Sequence, residues 1–396
     1  MKFIKELPKK TIVKNSYDVI ICGGGIAGVS AALAAARQNK KVLLIEKLFL
    51  LGGLATSGLV TIYLPLCDGC GKQVSFSIAE ELFRLSIKHG YEDEYPDAWL
   101  NGGSIEEKTN KRFQVRFNAN VYALLLEKLL KENGVELLYG NTVCNAVIKK
   151  GKITHIVTEG KEGRTAFKTT SVVDTTGDAD VCAFTYTPTK LFEQGNTLAG
   201  WYYFLNGNDM DLKMLGFSDI PDKYKTEAEK KVTRKRYIGI ADLSTMAEDS
   251  HAFTLEDFLK KGGIDKDRHL STIATTPQVR MTRRICGEYT MDDTEMHQEF
   301  YDSIGLIGDW RKKGPIYEIP FRTLYSKKIK NLITAGRSIS VTDAMWDITR
   351  VIPVCAVTGE AAGIAASISD DFSKLDINVL QNKLKNNGVK LHEKDL

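Results

Sequence analysis

Three glycines and one carboxylate near the N-terminus have the spacing of a phosphate-binding turn. Gly23, Gly25 and Gly28 form G-x-G-x-x-G directly after an apolar run, and Glu46 follows 18 residues later. The first glycine of such a motif permits a tight turn, the second lets the backbone approach a pyrophosphate, and the third lets helix and strand pack closely. A carboxylate at the position of Glu46 can accept hydrogen bonds from ribose hydroxyls. The pattern therefore predicts a dinucleotide site.

The elements that would position these residues are a strand, a helix and a second strand. Residues 17–22 are apolar and rich in β-branched side chains, residues 29–37 are rich in alanine, and residues 42–45 are apolar again. We predict a βαβ unit of a parallel sheet, in which the helix N-terminus offers free N–H groups and a partial positive charge to the phosphates. The alternative is a glycine turn without a ligand. The motif alone does not distinguish NAD from FAD.

Further elements follow from the hydrophobic pattern. Helices are expected over 78–89 and 120–133, and several short strands over 134–181. Residues 186–325 change to a mixture of aromatic and charged stretches, and strand-turn-helix patterns return after residue 331. We therefore predict a discontinuous nucleotide-binding domain, residues 1–185 and 326–396, with an inserted α+β substrate domain, residues 186–325.

Composition limits the classes of partner. The 54 Lys and Arg residues against 50 Asp and Glu give a formal net charge of +4, and no long basic run suggests a nucleic-acid partner. Charged residues interrupt every apolar run well before the ~20 residues of a membrane span. The lysine-rich start lacks the apolar core of a signal peptide. We expect a cytoplasmic protein with reduced cysteines and leave its oligomeric state open.

Three later segments favour FAD over NAD. They are "LGGLATSG" (51–58), "SVVDTTGDAD" (171–180), and "NLITAGRSIS" (331–340) followed by "RVIPVCAVTGEAAG" (350–363). Together with the glycine motif they resemble the glutathione-reductase-like superfamily of FAD enzymes, and within it the FAD-dependent oxidoreductases related to the fumarate reductase and succinate dehydrogenase flavoproteins. The resemblance covers both ends of the chain well and the middle poorly. It implies an α/β fold with a Rossmann-like FAD-binding domain.

The resemblance also implies which residues contact FAD. The loop with Gly52 and Gly53 would wrap the phosphate and flavin, the end of the "DTTGD" strand would lie over the FAD, and Gly336 and Arg337 would approach the pyrophosphate and ribityl chain. The full set that we assign to the cofactor site is Gly23, Gly25, Ile26, Ala27, Gly28, Glu46, Lys47, Gly52, Gly53, Leu54, Ala55, Val143, Thr176, Gly177, Asp178, Gly336, Arg337, Pro353 and Val354.

The last helix, "VIPVCAVTGEAAG", is expected to point its N-terminus at the flavin. Pro353 suits a first helical turn because it lacks an N–H that would be unpaired there, and a helix N-terminus stabilises the negative charge of a reduced flavin. A second interpretation is a core helix whose small residues permit close packing. Both can hold together.

Two absences narrow the chemistry. The chain has no second G-x-G-x-x-G unit, so we expect no separate NAD(P)H domain, and electrons would come from an organic substrate or from an external donor or go to an external acceptor. The "GGLATSG" loop has no histidine, where relatives with covalent flavin carry one. We therefore expect non-covalent FAD.

Arginines are the candidates for substrate contacts. Arg280 and Arg284 lie in "PQVRMTRRICGEY" (277–289), and Arg350 precedes the last helix. An arginine fork binds a carboxylate in two-point geometry, so we predict catalytic roles for these three residues and a small, carboxylate-bearing substrate. The alternative for the 277–289 group is a solvated or salt-bridged basic face. The histidines are scattered, so we predict no metal site and no Ser-His-Asp arrangement.

These observations predict an FAD-dependent oxidoreductase that moves a hydride between an anionic small molecule and flavin N5. An NAD-dependent dehydrogenase and a flavin-bound protein with a binding or regulatory role are the alternatives. In the fumarate reductase flavoproteins an arginine near the position of Arg350 grips a substrate carboxylate. The segment before "GEAAG" is shorter here and their glycine-flanked histidine is absent, so we do not expect fumarate reduction itself.

A pair of cysteines, Cys67 and Cys70, follows the "GGLATSG" loop. A C-x-x-C pair can form a redox disulfide or half of a metal site, but no second pair stands nearby to complete a zinc site. We interpret the two residues as ordinary thiols of a loop near the flavin. A redox pair is the alternative.

Overall fold

The computed structural model describes residue 4 and residues 10–216, 234–235 and 240–396. Its helices are α1 (Ile26–Arg37), α2 (Ile78–Ser86), α3 (Asp97–Leu100), α4 (Ile105–Asn110), α5 (Ala119–Glu132), α6 (Asp180–Phe184), α7 (Ile240–Lys260), α8 (Asp343–Thr349), α9 (Ile352–Ile368) and α10 (Ile377–Asn386). Its strands are β1 (Ile12–Cys22), β2 (Val42–Glu46), β3 (Ile62–Tyr63), β4 (Val115–Arg116), β5 (Glu136–Tyr139), β6 (Thr142–Lys149), β7 (Lys152–Gly160), β8 (Gly163–Asp174), β9 (Thr189–Leu191), β10 (Asn196–Thr197), β11 (Ala199–Asn206), β12 (Asp209–Gly216), β13 (Arg234–Lys235), β14 (Arg268–Ile273), β15 (Arg283–Ile285), β16 (Ser303–Gly308), β17 (Ile316–Pro320) and β18 (Leu332–Thr334).

The main sheet confirms the predicted α/β fold. Its strand order is β5-β2-β1-β8-β7-β6, and the first four strands run parallel. The β1–α1–β2 unit forms as predicted, with Val19 opposite Val42 and Cys22 opposite Ile45. Both strands are buried where they pair, in agreement with the continuous apolar runs that a parallel strand between two covered faces requires.

Strand β8 joins the two ends of the chain. Its first half pairs antiparallel with β7, and its last residues, Val172–Asp174, pair parallel with Leu332–Thr334 of β18. The C-terminal segment therefore places its strand end beside those of β1 and β8. The described residues between β8 and β18 include small antiparallel sheets, β12-β11-β14 and β9-β15. The domain boundaries drawn from the sequence stay a prediction.

The helices predicted around residues 78–89 and 120–133 are α2 and α5, and each differs from its predicted bounds by a few residues at most. Asn118 caps α5 by accepting hydrogen bonds from the N–H groups of Asn120 and Val121, which explains its start. In the described part of the chain no single helix is long and apolar enough to cross a membrane, although α8 and α9, bent by 90°, pass that test as a pair by length and composition.

Helix α9 packs along α1 through two glycines. A Cβ atom on Gly359 would lie closer than 3.0 Å to the carbonyl oxygen of Ala27, and one on Gly363 closer than 3.0 Å to that of Ala31. Nearly every residue of α9 is buried. The small residues of this helix thus permit a close approach of two backbones, as the packing interpretation requires.

A carboxyl group is buried beside this helix pair. Glu360 on α9 is only 1% exposed, and it accepts hydrogen bonds from Ser77 Oγ (2.7 Å), the Ile78 N–H (3.2 Å) and Asn387 Nδ2 (3.2 Å). Removal from water raises the pKa of Glu360 to about 7, although these bonds and the charge of Arg37 oppose the rise. Glu360 therefore joins the start of α2 and the end of α10 to α9 with a group that titrates near neutrality.

The raised pKa of Glu360 predicts a pH-dependent stability. Because the folded state holds this proton more tightly than the unfolded state, the contribution of Glu360 is complete below the unfolded pKa of 4.5 and is lost as pH rises to about 7. At 1.36 kcal/mol per pKa unit the loss is about 3 kcal/mol. Glu360→Gln is expected to remove this part of the pH dependence when free energies of unfolding are measured at pH 5 and pH 8.

Glu162→Gln supplies the control for Glu360, because Glu162 is an exposed carboxylate that pairs with Lys14. We expect it to keep the wild-type difference between the two pH values. An unchanged difference in Glu360→Gln would contradict the assignment of the neutral-pH titration to Glu360.

Candidate cofactor and active site

A cavity of about 400 Å³ opens at the carboxyl ends of the parallel strands. Its wall includes residues at or just after the ends of β1, β2, β8 and β18, namely Gly23, Glu46, Thr175 and Ala335. Ligands of open α/β sheets bind at this edge, where neighbouring connections leave in opposite directions. The volume lies within the usual range of small-molecule sites.

Most of the residues predicted for the cofactor site line this cavity. They are Gly23, Gly25, Ile26, Ala27, Glu46, Lys47, Gly52, Gly53, Leu54, Ala55, Val143, Thr176, Gly177, Asp178, Gly336 and Arg337, together with Arg350 from the predicted catalytic group. Gly28, Pro353, Val354, Arg280 and Arg284 are not part of its wall. The cavity therefore brings together residues from parts of the chain as distant as Gly23 and Arg350, although their contacts with a cofactor stay a prediction.

The reason for a glycine differs at each of the three glycine positions of the turn. Gly23 has φ +112°, and a Cβ there would lie closer than 3.0 Å to Thr175 O. A Cβ on Gly28 would overlap Gly23 O. Gly25, the N-cap of α1, has ordinary extended backbone angles and no atom within 4 Å of the position of a Cβ.

Gly25 is thus distinguished from the other glycines. Among those in the described part of the chain, it alone has neither a positive φ nor a neighbour near the Cβ position. Glycine at this position is not required by the protein's own packing. The space beside it lies at the N-terminus of α1, where backbone N–H groups favour an anion, and this is the fit expected for a bound pyrophosphate.

Glu46 has two roles at the end of β2. It is 7% exposed, its Oε2 accepts from the Gly24 N–H at 2.6 Å, and its Oε1 accepts from the Leu48 N–H at 2.8 Å. Each carboxylate oxygen keeps a further lone pair for a ligand. Glu46 therefore braces the glycine turn as well as facing the cavity, and the motif predicts only the second role.

The loop after β2 closes onto the same turn. Gly52 pairs with Gly25 in a bridge, and its N–H donates to Gly24 O at 2.8 Å. Gly52 and Gly53 both have positive φ, and a Cβ on Gly53 would lie 3.1 Å from Gly25 Cα. The two glycines permit the close approach of the loops that form one side of the cavity.

The opposite side is formed by the end of β8 and by Arg337. The Arg337 guanidinium passes over Gly177, where a Cβ would lie closer than 3.0 Å to it. Its Nη1 donates to Val279 O and its Nη2 lies 3.4 Å from Asp178 Oδ1. Arg337 therefore ties the turn after β18 to the turn after β8, and glycine at 177 makes room for it.

A second ion pair lies beside the first. Arg283 Nη2 donates to Asp180 Oδ1 at 2.6 Å. Removal from water and the charges of Asp178 and Asp174 raise the pKa of Asp180 to about 6, and Arg283 opposes the rise. Arg283 and Asp180 both line the cavity. Arg283 belongs to the arginine group of residues 277–289 but was not assigned a catalytic role, and Asp180 was not predicted.

The predicted arginines of segment 277–289 face other surroundings. Arg280 Nη2 bonds Gln278 Oε1 at 2.9 Å. Arg284 is 4% exposed, donates from Nη1 to Ile285 O, and lies 6.0 Å from the centre of the Trp346 ring. Because residues 283–285 form a strand, Arg283 and Arg284 point to opposite sides. The catalytic roles of Arg280 and Arg284 stay a prediction without support from this arrangement.

The start of α9 forms the part of the cavity wall next to the turn after β18, where Gly336 lies close to Cys355. Arg350, Ile352 and Cys355 line it, and Pro353 lies in the first turn of the helix. Arg350 donates from Nε and Nη2 to Asp347 Oδ1 at 3.0 and 2.6 Å. Burial raises the pKa of the Cys355 thiol to about 12 against the charges of Arg337 and Arg350. Cys355 therefore stays a neutral thiol.

The cysteine pair that follows the glycine loop lies outside the cavity wall. Cys67 is buried and accepts from the Phe113 N–H at 3.3 Å, whereas Cys70 is exposed. Burial raises the pKa of Cys67, which disfavours a reactive thiolate. Over the described residues all cysteines are free thiols and no group of three metal-ligating side chains occurs.

Comparisons with known proteins agree with this site. A model of the family described as FAD dependent oxidoreductase matches residues 18–200 and 205–384. The thioredoxin reductase of Ureaplasma parvum serovar 3 is 33% identical over 76 residues, 19% of this chain and 25% of that protein. The tRNA uridine 5-carboxymethylaminomethyl modification enzyme of Mycoplasma capricolum is 67% identical over 34 residues, 9% of this chain and 5% of that protein. The chain thus matches a quarter or less of the length of these curated relatives.

Solved structures show more distant likeness. A geranylgeranyl bacteriochlorophyll reductase-like protein from Thermoplasma acidophilum has a TM-score of 0.49 at 13% identity, over 94% of this chain and 84% of that chain. Glycine oxidase from Bacillus cereus has a TM-score of 0.42 at 12% identity, over 92% of this chain and 98% of that chain.

The family match covers nearly the whole chain, and the cavity has the glycine turn, the open N-cap and the carboxylate that a dinucleotide requires. The alternatives of an NAD-dependent dehydrogenase and of a regulatory flavin-binding protein find no support in this family. The chain belongs to the family of FAD-dependent oxidoreductases, and FAD is its cofactor.

Proposed function

We propose that the protein transfers a hydride between a small anionic organic substrate and FAD. The observation that carries this proposal is the open space at Gly25 on the N-terminus of α1, in a cavity that continues to Arg350 at the start of α9. FAD, when bound, supplies the hydride chemistry at N5. The chain's own residues bind and orient the cofactor and the substrate, and they balance the charge of both.

The lining residues support one orientation of the cofactor, which is part of the proposal. Glu46, with a lone pair free on each oxygen, would accept from ribose hydroxyls, and the N–H groups at the start of α1 would hold the pyrophosphate. The remaining half of the cofactor would extend toward Arg337, Ile352 and Cys355, because Gly336 lies against Ala27 and Cys355 on that side. The reacting ring would thus lie beside the N-terminus of α9, whose partial positive charge favours an anion.

Arg350 is the candidate for substrate recognition. Its Nε and Nη2 are held by Asp347, whereas its Nη1 has no protein partner among the described residues. A carboxylate could therefore bond the outer edge of a guanidinium whose inner edge is fixed. This arrangement supports the resemblance to the fumarate reductase flavoproteins, in which an arginine binds a substrate carboxylate. We therefore also propose that the protein is related to the fumarate reductase and succinate dehydrogenase flavoproteins. We further propose an external electron donor or acceptor.

The test begins with the purified protein. We expect a yellow protein that releases FAD on denaturation without covalent attachment, and bleaching of the flavin by at least one member of an anaerobic screen of small carboxylates. Absence of flavin after reconstitution with FAD would overturn the proposal. Bleaching by neutral analogues as effectively as by carboxylates would overturn its anionic part.

The variant Arg350→Lys separates the effect of two-point hydrogen bonding by the guanidinium from the effect of its positive charge. We expect the dissociation constant of the bleaching carboxylate to rise about 10- to 100-fold, because lysine keeps the positive charge but loses one charge-assisted bond worth ~1.5–3 kcal/mol. Anaerobic titration of the flavin spectrum measures it. Arg37→Lys is the matched control, since Arg37 also forms a two-point bond, to Glu81, away from the cavity wall. Equal affinity in wild type and Arg350→Lys would remove Arg350 from the substrate site.

A further inference from the structure

A chain of four buried charged groups leads from the interior to the cavity. Arg311 donates from Nε and Nη2 to the two oxygens of Asp309, both at 3.0 Å. Arg311 Nη1 lies 3.8 Å from Asp347 Oδ2. Asp347 Oδ1 accepts from Nε and Nη2 of Arg350 at 3.0 and 2.6 Å. The charges alternate in sign and sum to zero.

The chain is almost closed to solvent. The side chains of Asp309 and Asp347 are fully buried, and those of Arg311 and Arg350 are 9% and 11% exposed. Burying ions costs several kcal/mol per ion, and a well-packed apolar cluster is often as stable. Stability alone is therefore a weak reason for this arrangement, and its position beside the cofactor cavity indicates a role there.

Arg350 is fixed at the cavity end of the chain from two directions. Asp347 holds one edge of its guanidinium, and the Trp310 ring lies 5.7 Å from its Cζ. Trp310 is itself held because its Nε1 donates to Asp347 O at 2.9 Å. The charge of Arg350 reaches the cavity wall, where it lowers the pKa of Cys355 against the larger effect of burial.

We propose that the charge of Asp347, with Arg311 and Asp309 behind it, balances the charge of Arg350 at the cavity wall and thereby sets the reduction potential of the bound flavin. This inference rests on the proposed function, which places the reacting ring at the α9 end of the cavity. Reduction adds negative charge there. Arg350 would favour the reduced cofactor, the two aspartates would oppose it, and the balance of the four charges would shift the potential.

Removing charges of opposite sign should therefore move the potential in opposite directions. In holoprotein without substrate, Asp347→Asn is expected to shift the midpoint potential of the flavin to a more positive value. Arg350→Gln should shift it to a more negative value, and the double variant should return toward wild type. Asp309→Asn, one step further from the cavity, should give a smaller positive shift. The potentials are measured by anaerobic titration against reference dyes.

The pair Asp302–Arg322 supplies a matched control. Asp302 is 2% exposed and accepts from Arg322 Nε at 2.9 Å, and neither residue lines the cavity. Asp302→Asn should lower the unfolding temperature without moving the potential. A purely structural role would instead give shifts of one sign, or none, in all variants.

The outcomes are distinct. Opposite shifts in Asp347→Asn and Arg350→Gln support the inference. If Asp347→Asn does not fold, opposite shifts in Asp309→Asn and Arg350→Gln serve the same purpose. Unchanged potentials, or shifts of equal sign, overturn it, although the proposed function survives because the wild-type protein still binds and reduces its flavin. A wild-type protein whose flavin no substrate reduces would overturn the proposed function instead.

Discussion

Replacing Gly25 by alanine is expected to weaken FAD binding about 100-fold and to leave the fold of the apoprotein intact. The Cβ would extend into open space at the N-terminus of α1 and would keep a pyrophosphate from the backbone N–H groups there. Losing one or two charge-assisted hydrogen bonds costs about 3 kcal/mol, and each 1.4 kcal/mol is tenfold in affinity. The backbone angles of Gly25, φ −67° and ψ 178°, suit alanine, so the helix loses at most ~1 kcal/mol from a poorer N-cap.

The matched variant is Gly28→Ala, three residues further along the same motif. A Cβ there would overlap Gly23 O, so we expect loss of stability in the apoprotein as well as loss of FAD. Thermal unfolding of both apoproteins and equilibrium titration with FAD separate the two effects. Normal FAD affinity in Gly25→Ala would show that the open space does not serve the cofactor, and a strongly destabilised apoprotein would show that Gly25 has a packing role.

The sequence was most informative where the site is local. The glycine motif, the strands around it and Glu46 lie within 30 residues, and their roles depend on a βαβ geometry that the hydrophobic pattern predicts. The contribution of Gly336 and Arg337 came from the resemblance. The pairing of β18 with β8 shows how these residues reach the cavity.

The arginines show where sequence reasoning stops. Spacing within "RMTRRI" does not reveal which arginine faces the cavity, because a strand and a helix give different answers. Strand β15 turns Arg283 to the cavity and Arg284 away from it. Alternation from a cavity-facing Val279 gives the right side for Arg283 but the wrong side for Thr282, which also lines the cavity, because residues 280–282 lie outside the strand.

The ion pairs between residues far apart in the chain could not be predicted, because tertiary packing alone brings them together. Arg350 pairs with Asp347 three residues away, which helical spacing allows. Arg311, which pairs with Asp347 and Asp309, lies about 40 residues earlier and joins only through tertiary packing. Cys355 follows Ile352 by three residues, so both face the same side at the start of α9, but the sequence assigned Pro353 and Val354 to the site instead of these two residues. Thr276 and Pro277 also line the cavity, and no feature of the sequence pattern predicts that they do.

The close packing of α9 on α1 predicts the second large effect. The double variant Gly359→Ala, Gly363→Ala is expected to lower the free energy of unfolding by about 4 kcal/mol. Each new Cβ would meet a backbone carbonyl of α1, of Ala27 or Ala31, which cannot move aside as a side chain can. Because the obstacles are backbone atoms, we expect the upper end of the ~1–3 kcal/mol that overpacking costs per site, and the better helix propensity of alanine returns ~1 kcal/mol per site, which leaves about 4 kcal/mol for the pair. Denaturant unfolding measures the difference.

The sign of this change decides between two interpretations of α9. If its glycines served only to fill a buried helix, alanine would raise stability through helix propensity, as we expect at the exposed position Asn382 of α10 on Asn382→Ala. If they set the distance between α9 and α1, stability falls and FAD affinity falls with it, because the start of α9 borders the cavity at Ile352 and Cys355. A more stable double variant with unchanged FAD affinity would contradict the close contact, and the placing of α9 beside the cofactor would then lose its structural basis.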